Sequence, residues 1–251
     1  MYDILNAECL TMRYFIELAY EGTRYGGFQI QDNSNTVQAE MEKALFTFYR
    51  QAFALTGSSR TDAGVHALQN YFHVDTAIVI EPKHIYNLNS ILPDDIVIKS
   101  IVAVAPNAHC RFLATHRTYQ YFIYQKKNPF FKNRAWFYPY PVKIDLLNQA
   151  AKLLREYHDF TSFSKRNTQA KTKICNIIES HWEIENEQFV YTVKANRFLR
   201  GMVRGLVGTM LQVGRERISM DAFQKIIEAK DCSLAYFDTP AHGLFLVQVG
   251  Y

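Results

Sequence analysis

An arginine two residues before an aspartate, inside a run of small residues bracketed by glycines, is the stretch with the most chemical content. It reads Gly57-Ser58-Ser59-Arg60-Thr61-Asp62-Ala63-Gly64-Val65-His66-Ala67. Small residues and glycine let a backbone approach a ligand closely, so the run predicts a tight loop that presents a carboxylate. A carboxylate that works as nucleophile or base must be ionised, and a nearby guanidinium favours that form while fixing its orientation. On composition alone, a structural turn with Asp62 as an Asx cap is an equal alternative. His66 and His73 invite a general-base reading, which is the disfavoured one although His66 sits beside the loop. Cys9, Cys110, Cys175 and Cys232 lie far apart with no CxxC pair, so ordinary reduced thiols are expected rather than a disulfide framework or a zinc site. No P-loop, dinucleotide fingerprint or metal-ligand cluster occurs, and no cofactor is expected.

The charge pattern narrows the partners. The net charge is only +4, yet residues 1–95 hold 6 Lys/Arg against 12 Asp/Glu, while residues 96–251 hold 22 against 12. No acidic residue occurs between Asp95 and Asp145, an interval with eight basic ones. Intervals 160–178 and 188–215 are also acid-free, with four and five basic residues. Exclusion of carboxylates from long surfaces is what a polyanion requires, and it is favoured over a merely solvated basic face. Lys165, Arg166, Lys171 and Lys173 flank one polar loop and suit backbone phosphates better than chemistry.

The elements that must position these groups follow from periodicity. Arg13–Tyr20, Asn70–Val74 and Ile96–Val104 read as strands, with helices at Thr36–Phe48 and Pro82–Leu92. In the second half Thr118–Tyr124 is a strand, Ile144–Tyr157 a helix, and Ile174–Ile184 with Gln188–Lys194 a hairpin. Phe198–Val213 and Ser219–Ala229 read as helices, and Leu244–Val249 as a closing strand. Each half approximates β-α-β-β-α-β. The expected fold class is therefore α+β: two tandem ferredoxin-like, RRM-like half-domains, 1–110 and 111–251, whose antiparallel sheets border an active-site cleft. Asn128–Pro141 is the expected linker. Residues 1–11 read as a short extension. They lack the basic start and apolar block of a signal peptide, and no apolar stretch approaches the roughly 18–20 residues of a membrane helix, so a cytoplasmic protein is expected.

GSSRTDAGVHA resembles the GxGRTDxGVHA signature of the tRNA pseudouridine synthase A (TruA) family. Tyr20-Glu21-Gly22-Thr23-Arg24-Tyr25-Gly26-Gly27-Phe28-Gln29 is similar to its YDGxxYxGWQ segment, and Leu88-Asn89-Ser90-Ile91-Leu92-Pro93 to its lN..LP element. Cys110-Arg111-Phe112 through Thr118-Tyr119-Gln120-Tyr121 resembles its aRfsA..r.Y.Y strand. His158-Asp159-Phe160-Thr161-Ser162-Phe163 resembles hDFtSF, Met202-Val203-Arg204 the FlxxMVR helix, and Gly243-Leu244 through Tyr251 the closing GLxLxxVxY. These elements cover almost the whole chain in order. Departures are Phe28 for a tryptophan, Ser58-Ser59 before the arginine, and His109-Cys110 where the family has FHA.

The resemblance implies an isomerase that converts uridine to pseudouridine in the anticodon stem-loop of tRNA, at positions 38 to 40. It gives Asp62 the catalytic role, by attack on C1′ or by abstraction of a ribose proton. It pairs Arg204 with Asp62, makes Tyr119 the second catalytic candidate, its ring stacking on the uracil and its hydroxyl helping to remove the C5 proton, and sets Leu244 against the base, although a plain core leucine fits that position equally. Arg60 is placed at the target nucleotide or its phosphate, whereas Tyr121 and Tyr191 are read as core or sheet aromatics. Partners are tRNA and a second copy of the chain, with no membrane. Action on another RNA position, or a non-catalytic RNA-binding protein, are the alternatives. The intact Arg60, Asp62 and Tyr119 argue against the second.

Overall fold

Alternating apolar residues make the first strand, β1 (Met12–Tyr20), and its buried positions Tyr14, Ile16, Leu18 and Tyr20 form one face. Helix α1 (Val37–Tyr49) starts at Thr36, whose hydroxyl accepts the Ala39 N–H at 3.2 Å, and it buries Val37, Met41, Ala44 and Leu45. The short β2 (Thr56–Gly57), β3 (His66–Thr76), α2 (His84–Ile91) and β4 (Ile96–Val104) complete this part. The remainder contains β5 (His116–Tyr124), the short β6 (Trp136–Phe137), α3 (Ile144–Leu153), β7 (Ile177–Glu185), β8 (Gln188–Ala195), α4 (Met202–Gly214), α5 (Met220–Glu228) and β9 (Leu244–Gly250). This computed structural model describes residues 11–166 and 170–251. The expected extension, apart from Thr11, and the thiol of Cys9 lie outside the described residues.

The protein is mixed α+β, with one nine-stranded sheet and five α-helices among the described residues. The strands run β4-β1-β3-β9-β5-β8-β7, with β2 on β3 and β6 on β5. The expected antiparallel sheets are not separate. They join through a short parallel pairing of β3 with β9, His66 opposite Phe245 and Ala67 opposite Leu246. Two apolar clusters fill the layer between sheet and helices. One gathers Ile16, Leu18, Met41, Leu45, Phe72 and Leu88, and the other Tyr121, Leu147, Phe160, Leu206, Val207 and Phe223. The seam is shared: Leu246 and Val249 of β9 belong to the first cluster, Val65 to the second, and Tyr119 packs against both.

Three expectations need correction. The stretch 128–141 is not a linker: it follows β5, pairs its β6 residues in parallel with Ile123 and Tyr124, and buries Ala135 and Tyr138. Helix α4 begins at Met202 rather than Phe198, because Gly201 takes φ +74° and the chain before it, leaving β8, is not helical. The helix from Ile144 stops at Leu153 and tightens into a single 3₁₀ turn over Leu154–Glu156.

Candidate active site

The Asp62 loop is held by polar groups buried beneath it. The Tyr20 hydroxyl lies 2.7 Å from Thr61 Oγ1, Asn70 Nδ2 donates to the Ser59 carbonyl at 2.9 Å, and Ser58 Oγ donates to Asn70 Oδ1 at 3.0 Å. All five residues are buried, so these bonds satisfy groups that would be costly to leave unpaired. A second support comes from the segment after β1. Gly27 bridges Asp62, Phe28 N–H donates to the Thr61 carbonyl at 3.2 Å, and Gly64 N–H donates to Tyr25 O at 3.3 Å. Gly27 sits at φ +127°, and a β-carbon there would lie 3.1 Å from Thr61 O. The Tyr20–Gln29 segment therefore serves as the bed of the loop.

The loop ends in a turn closed by Val65 N–H on Asp62 O at 3.2 Å. This leaves the Asp62 side chain one-third exposed (32%), with Arg200 Nε 3.9 Å from Oδ1. At that distance and exposure the pair orients more than it stabilises. Arg200 belongs to the irregular segment between β8 and α4. Arg204, one turn inside the sequence-expected helix, is placed differently: its Nε donates to Thr239 O at 2.6 Å, and Thr239 Oγ1 donates back to Arg204 O at 2.5 Å. Arg204 thus ties α4 to the segment entering β9, and the ion pair recorded at Asp62 is Arg200's.

Tyr119 projects from β5 at the seam, where the β5–β9 register shifts between Thr118 and Tyr119. Such irregularities re-aim a side chain. Its ring meets Phe198 edge-on at 5.0 Å. Poor hydration of this position pushes the phenol up to about 12, with Arg117 opposing the shift and Asp62 adding to it. Leu244 is buried within the second apolar cluster, and its partner across β5–β9 is Tyr121. Tyr121 and Tyr191 are both core residues.

Cations surround this point. Arg60 is exposed beside the loop, and the charges of Arg60 and Arg197 act on Arg111, whose guanidinium is lowered by burial and by these like charges. Lys165 N–H donates to Arg200 O at 3.0 Å, and its stem lies over Gly201. Lys165, Arg166 and Lys173 then line an open depression with Lys230, so basic groups continue outward from Arg200; Lys171 is exposed nearby. Arg111, Arg117 and Arg200 are the functional candidates that sequence reasoning did not single out. Arg111 and Arg117 lie within the aRfsA..r.Y.Y resemblance, which gave them no role, and Arg200 was signalled only by its acid-free interval.

The two histidines are structural. His66 Nδ1 accepts the Gly22 N–H at 3.0 Å, Nε2 donates to His242 O at 3.1 Å, and the ring stacks on Phe245 at 4.4 Å. Both nitrogens are engaged by a neutral ring, and burial holds His66 below the ordinary imidazole range. An unfolded chain then takes up the proton first as pH falls. The stability this neutral ring contributes is complete above the ordinary imidazole value and is lost on acidification through the lowered one. The expected result is a melting temperature that declines from about pH 7 to pH 5, with a shallower slope in His66→Gln. An unchanged slope would assign the decline to other groups.

His73, His109 and Cys110 bring one donor atom each within 4.8 Å of the others. The Cys110 thiol contacts His73 Nδ1 at 3.2 Å and the Thr56 carbonyl at 3.2 Å, and burial pushes it up to about 12. A thiol held in its protonated form suits packing, and we read the trio as a buried thiol–imidazole contact.

Comparison with known proteins agrees with this geometry. A family model described as tRNA pseudouridine synthase matches residues 18–112 and 150–251. The chain is 46% identical over 247 residues to the tRNA pseudouridine synthase A of Parabacteroides distasonis, covering 95% of this chain and 96% of that protein. It is 46% identical over 245 residues to the protein of that name from Bacteroides thetaiotaomicron (95% and 90% covered). The corresponding figure is 37% over 241 residues for Staphylococcus aureus (95% and 91%). Tyr119 and Arg117 fall between the two segments that the family model matches.

Proposed function

We propose, for a chain that belongs to the tRNA pseudouridine synthase family, that Asp62 is its catalytic carboxylate and that its targets are uridines of the anticodon stem-loop, positions 38 to 40. The chain is an isomerase acting on tRNA. The observation that carries the assignment is the loop itself: two buried supports hold it in place, yet Asp62 alone in its Arg-Thr-Asp core is both acidic and partly open, and its charge acts on Tyr119.

Pseudouridine formation breaks N1–C1′, turns the uracil, joins C5 to C1′, and moves the C5 proton away while N1 takes one up. Asp62 begins the sequence, either by attacking C1′ or by removing a ribose proton. Both routes need an ionised carboxylate within reach, and Arg200 Nε lies 3.9 Å from its Oδ1. The uridine must leave its helical stack to enter. Tyr119 offers its ring to the uracil. Its hydroxyl, protonated at neutral pH, serves as a hydrogen-bond partner near C5. Arg60 meets the target nucleotide or its phosphate, and Leu244 forms apolar wall beneath the site. Arg204 acts through the Thr239 segment that it pins.

The tRNA path runs from Arg200 across Lys165, Arg166, Lys171 and Lys173. Affinity should fall with salt, with a log–log slope of about −0.7 to −0.9 per phosphate contact. Neutralising those four residues together should weaken binding and flatten the slope, whereas removing Lys43 and Lys83 should change little. An unchanged slope after the fourfold substitution would take this loop off the path.

The same reading includes a cytoplasmic enzyme, a homodimer, and two ferredoxin-like half-domains, 1–110 and 111–251, bordering a cleft. Strand order supports the half-domains: β4-β1-β3-β2 in the first and β9-β5-β8-β7 in the second, each with intervening helices. Among the described residues no helix is long and apolar enough to cross a membrane. Mapping pseudouridine in tRNA from cells lacking the protein tests the target. Loss confined to positions 38–40 is expected, and loss elsewhere with those positions intact would contradict it.

A further inference from the structure

The catalytic loop and Tyr119 come from opposite sides of the seam, and one side chain bridges them. Arg117 lies on β5 two residues before Tyr119, hence on the same strand face. Its guanidinium makes five hydrogen bonds to three separate segments. Nε donates to Ser59 Oγ at 3.4 Å, and Nη2 to Ser58 O at 3.4 Å and Arg111 O at 2.9 Å. Nη1 donates to Ala114 O and Asn196 O, both at 3.3 Å. Five N–H groups therefore meet five neutral oxygens, which uses the whole donor set of the fork. Four of the bonds are long, so the geometry of the fork holds the segments rather than the strength of any one contact. No ion pair of Arg117 with a carboxylate occurs among the described residues, and burial lowers its guanidinium. A half-buried cation satisfied only by carbonyls and a hydroxyl is a costly way to tie loops together if nothing but stability is at stake.

We propose that Arg117 is a positioning residue: it fixes Ser58–Ser59, and through them Asp62, against the strand that carries Tyr119. The inference rests on Asp62 and Tyr119 acting at the site. Lysine cannot replace the fork, having three donors on one point rather than five in a plane. Misplacing reacting groups by about 1 Å costs about a hundredfold in rate.

The test is single-turnover pseudouridine formation and tRNA affinity in Arg117→Lys and Arg117→Ala. Both should lose about a hundredfold in rate with tRNA affinity within about threefold of wild type, and millimolar methylguanidinium should restore part of the rate to Arg117→Ala. Wild-type rates, a loss found only in affinity, or a lysine variant as active as wild type would overturn the proposal. If the variants do not fold, hydrogen exchange of the wild-type protein decides. Amides 58–62 should be as protected as β5, and exchange as fast as in the exposed 31–35 turn would overturn it. Asp62→Asn separates the two claims: a dead Asp62→Asn beside a fully active Arg117→Lys removes the clamp alone, whereas an active Asp62→Asn removes the reading beneath it.

Discussion

Asp62→Asn should lower the single-turnover rate of pseudouridine formation by more than about 10⁴-fold, the scale seen when a covalent or proton-transferring group is removed. Its tRNA affinity should stay within a few-fold of wild type. The amide is the same size, so the Thr61 and Asp62 backbone contacts to Gly27 and Phe28 are undisturbed. What disappears is the negative charge, and with it both the attack on C1′ and the abstraction of a ribose proton. On the proposed path affinity rests instead on the cations from Arg60 through Arg200 to Lys173, all of which remain, although Arg200 loses its ion pair with Asp62. Substantial turnover in this variant would show that the carboxylate is not the reacting group.

Gly22→Ala should be the most damaging small substitution away from the reacting atoms. A β-carbon at Gly22 would fall 2.0 Å from Val65 O and 2.6 Å from Val65 C, so the backbone must move. Gly22 N–H also donates to His66, and Val65 N–H closes the turn on Asp62 O. A displaced Val65 therefore carries the end of the catalytic loop with it. Overpacking of this kind costs about 1–3 kcal/mol of stability, to be read from denaturant titration. The shift of Asp62 should cost about a hundredfold in rate. Full activity at unchanged stability would show that this close approach does not position the loop.

The sequence revealed most where chemistry is local. The loop at Asp62 is legible because glycine, serine and an Arg-Thr-Asp triplet have few structural uses together, and β1 and β4 because alternation survives on a half-buried sheet. Contacts made across distance were not legible. The β3–β9 pairing involves two residues on each strand, separated by most of the chain, and leaves no local pattern. The segment 128–141 looks like a linker because prolines and aromatics also suit irregular chain packed against a strand. Arg200 and Arg204 are four apart, so an uninterrupted helix places them on one face. Gly201 at φ +74° breaks that helix, freeing Arg200 to meet Asp62 while Arg204 turns to Thr239. Arg117 stands in the quoted strand motif, but its role was not legible: four of its five partners are backbone carbonyls, which no side-chain pattern announces.

The central claim is that this chain isomerises uridine in tRNA with its own side chains, starting from Asp62. Its most direct test is to incubate the purified protein with an unmodified tRNA transcript labelled with tritium at uracil C5, in buffer containing a chelator. Tritium release in step with pseudouridine appearing in the anticodon arm is predicted for wild type, with neither in Asp62→Asn. Tight tRNA binding by wild type without tritium release, or equal release by both proteins, would contradict the account.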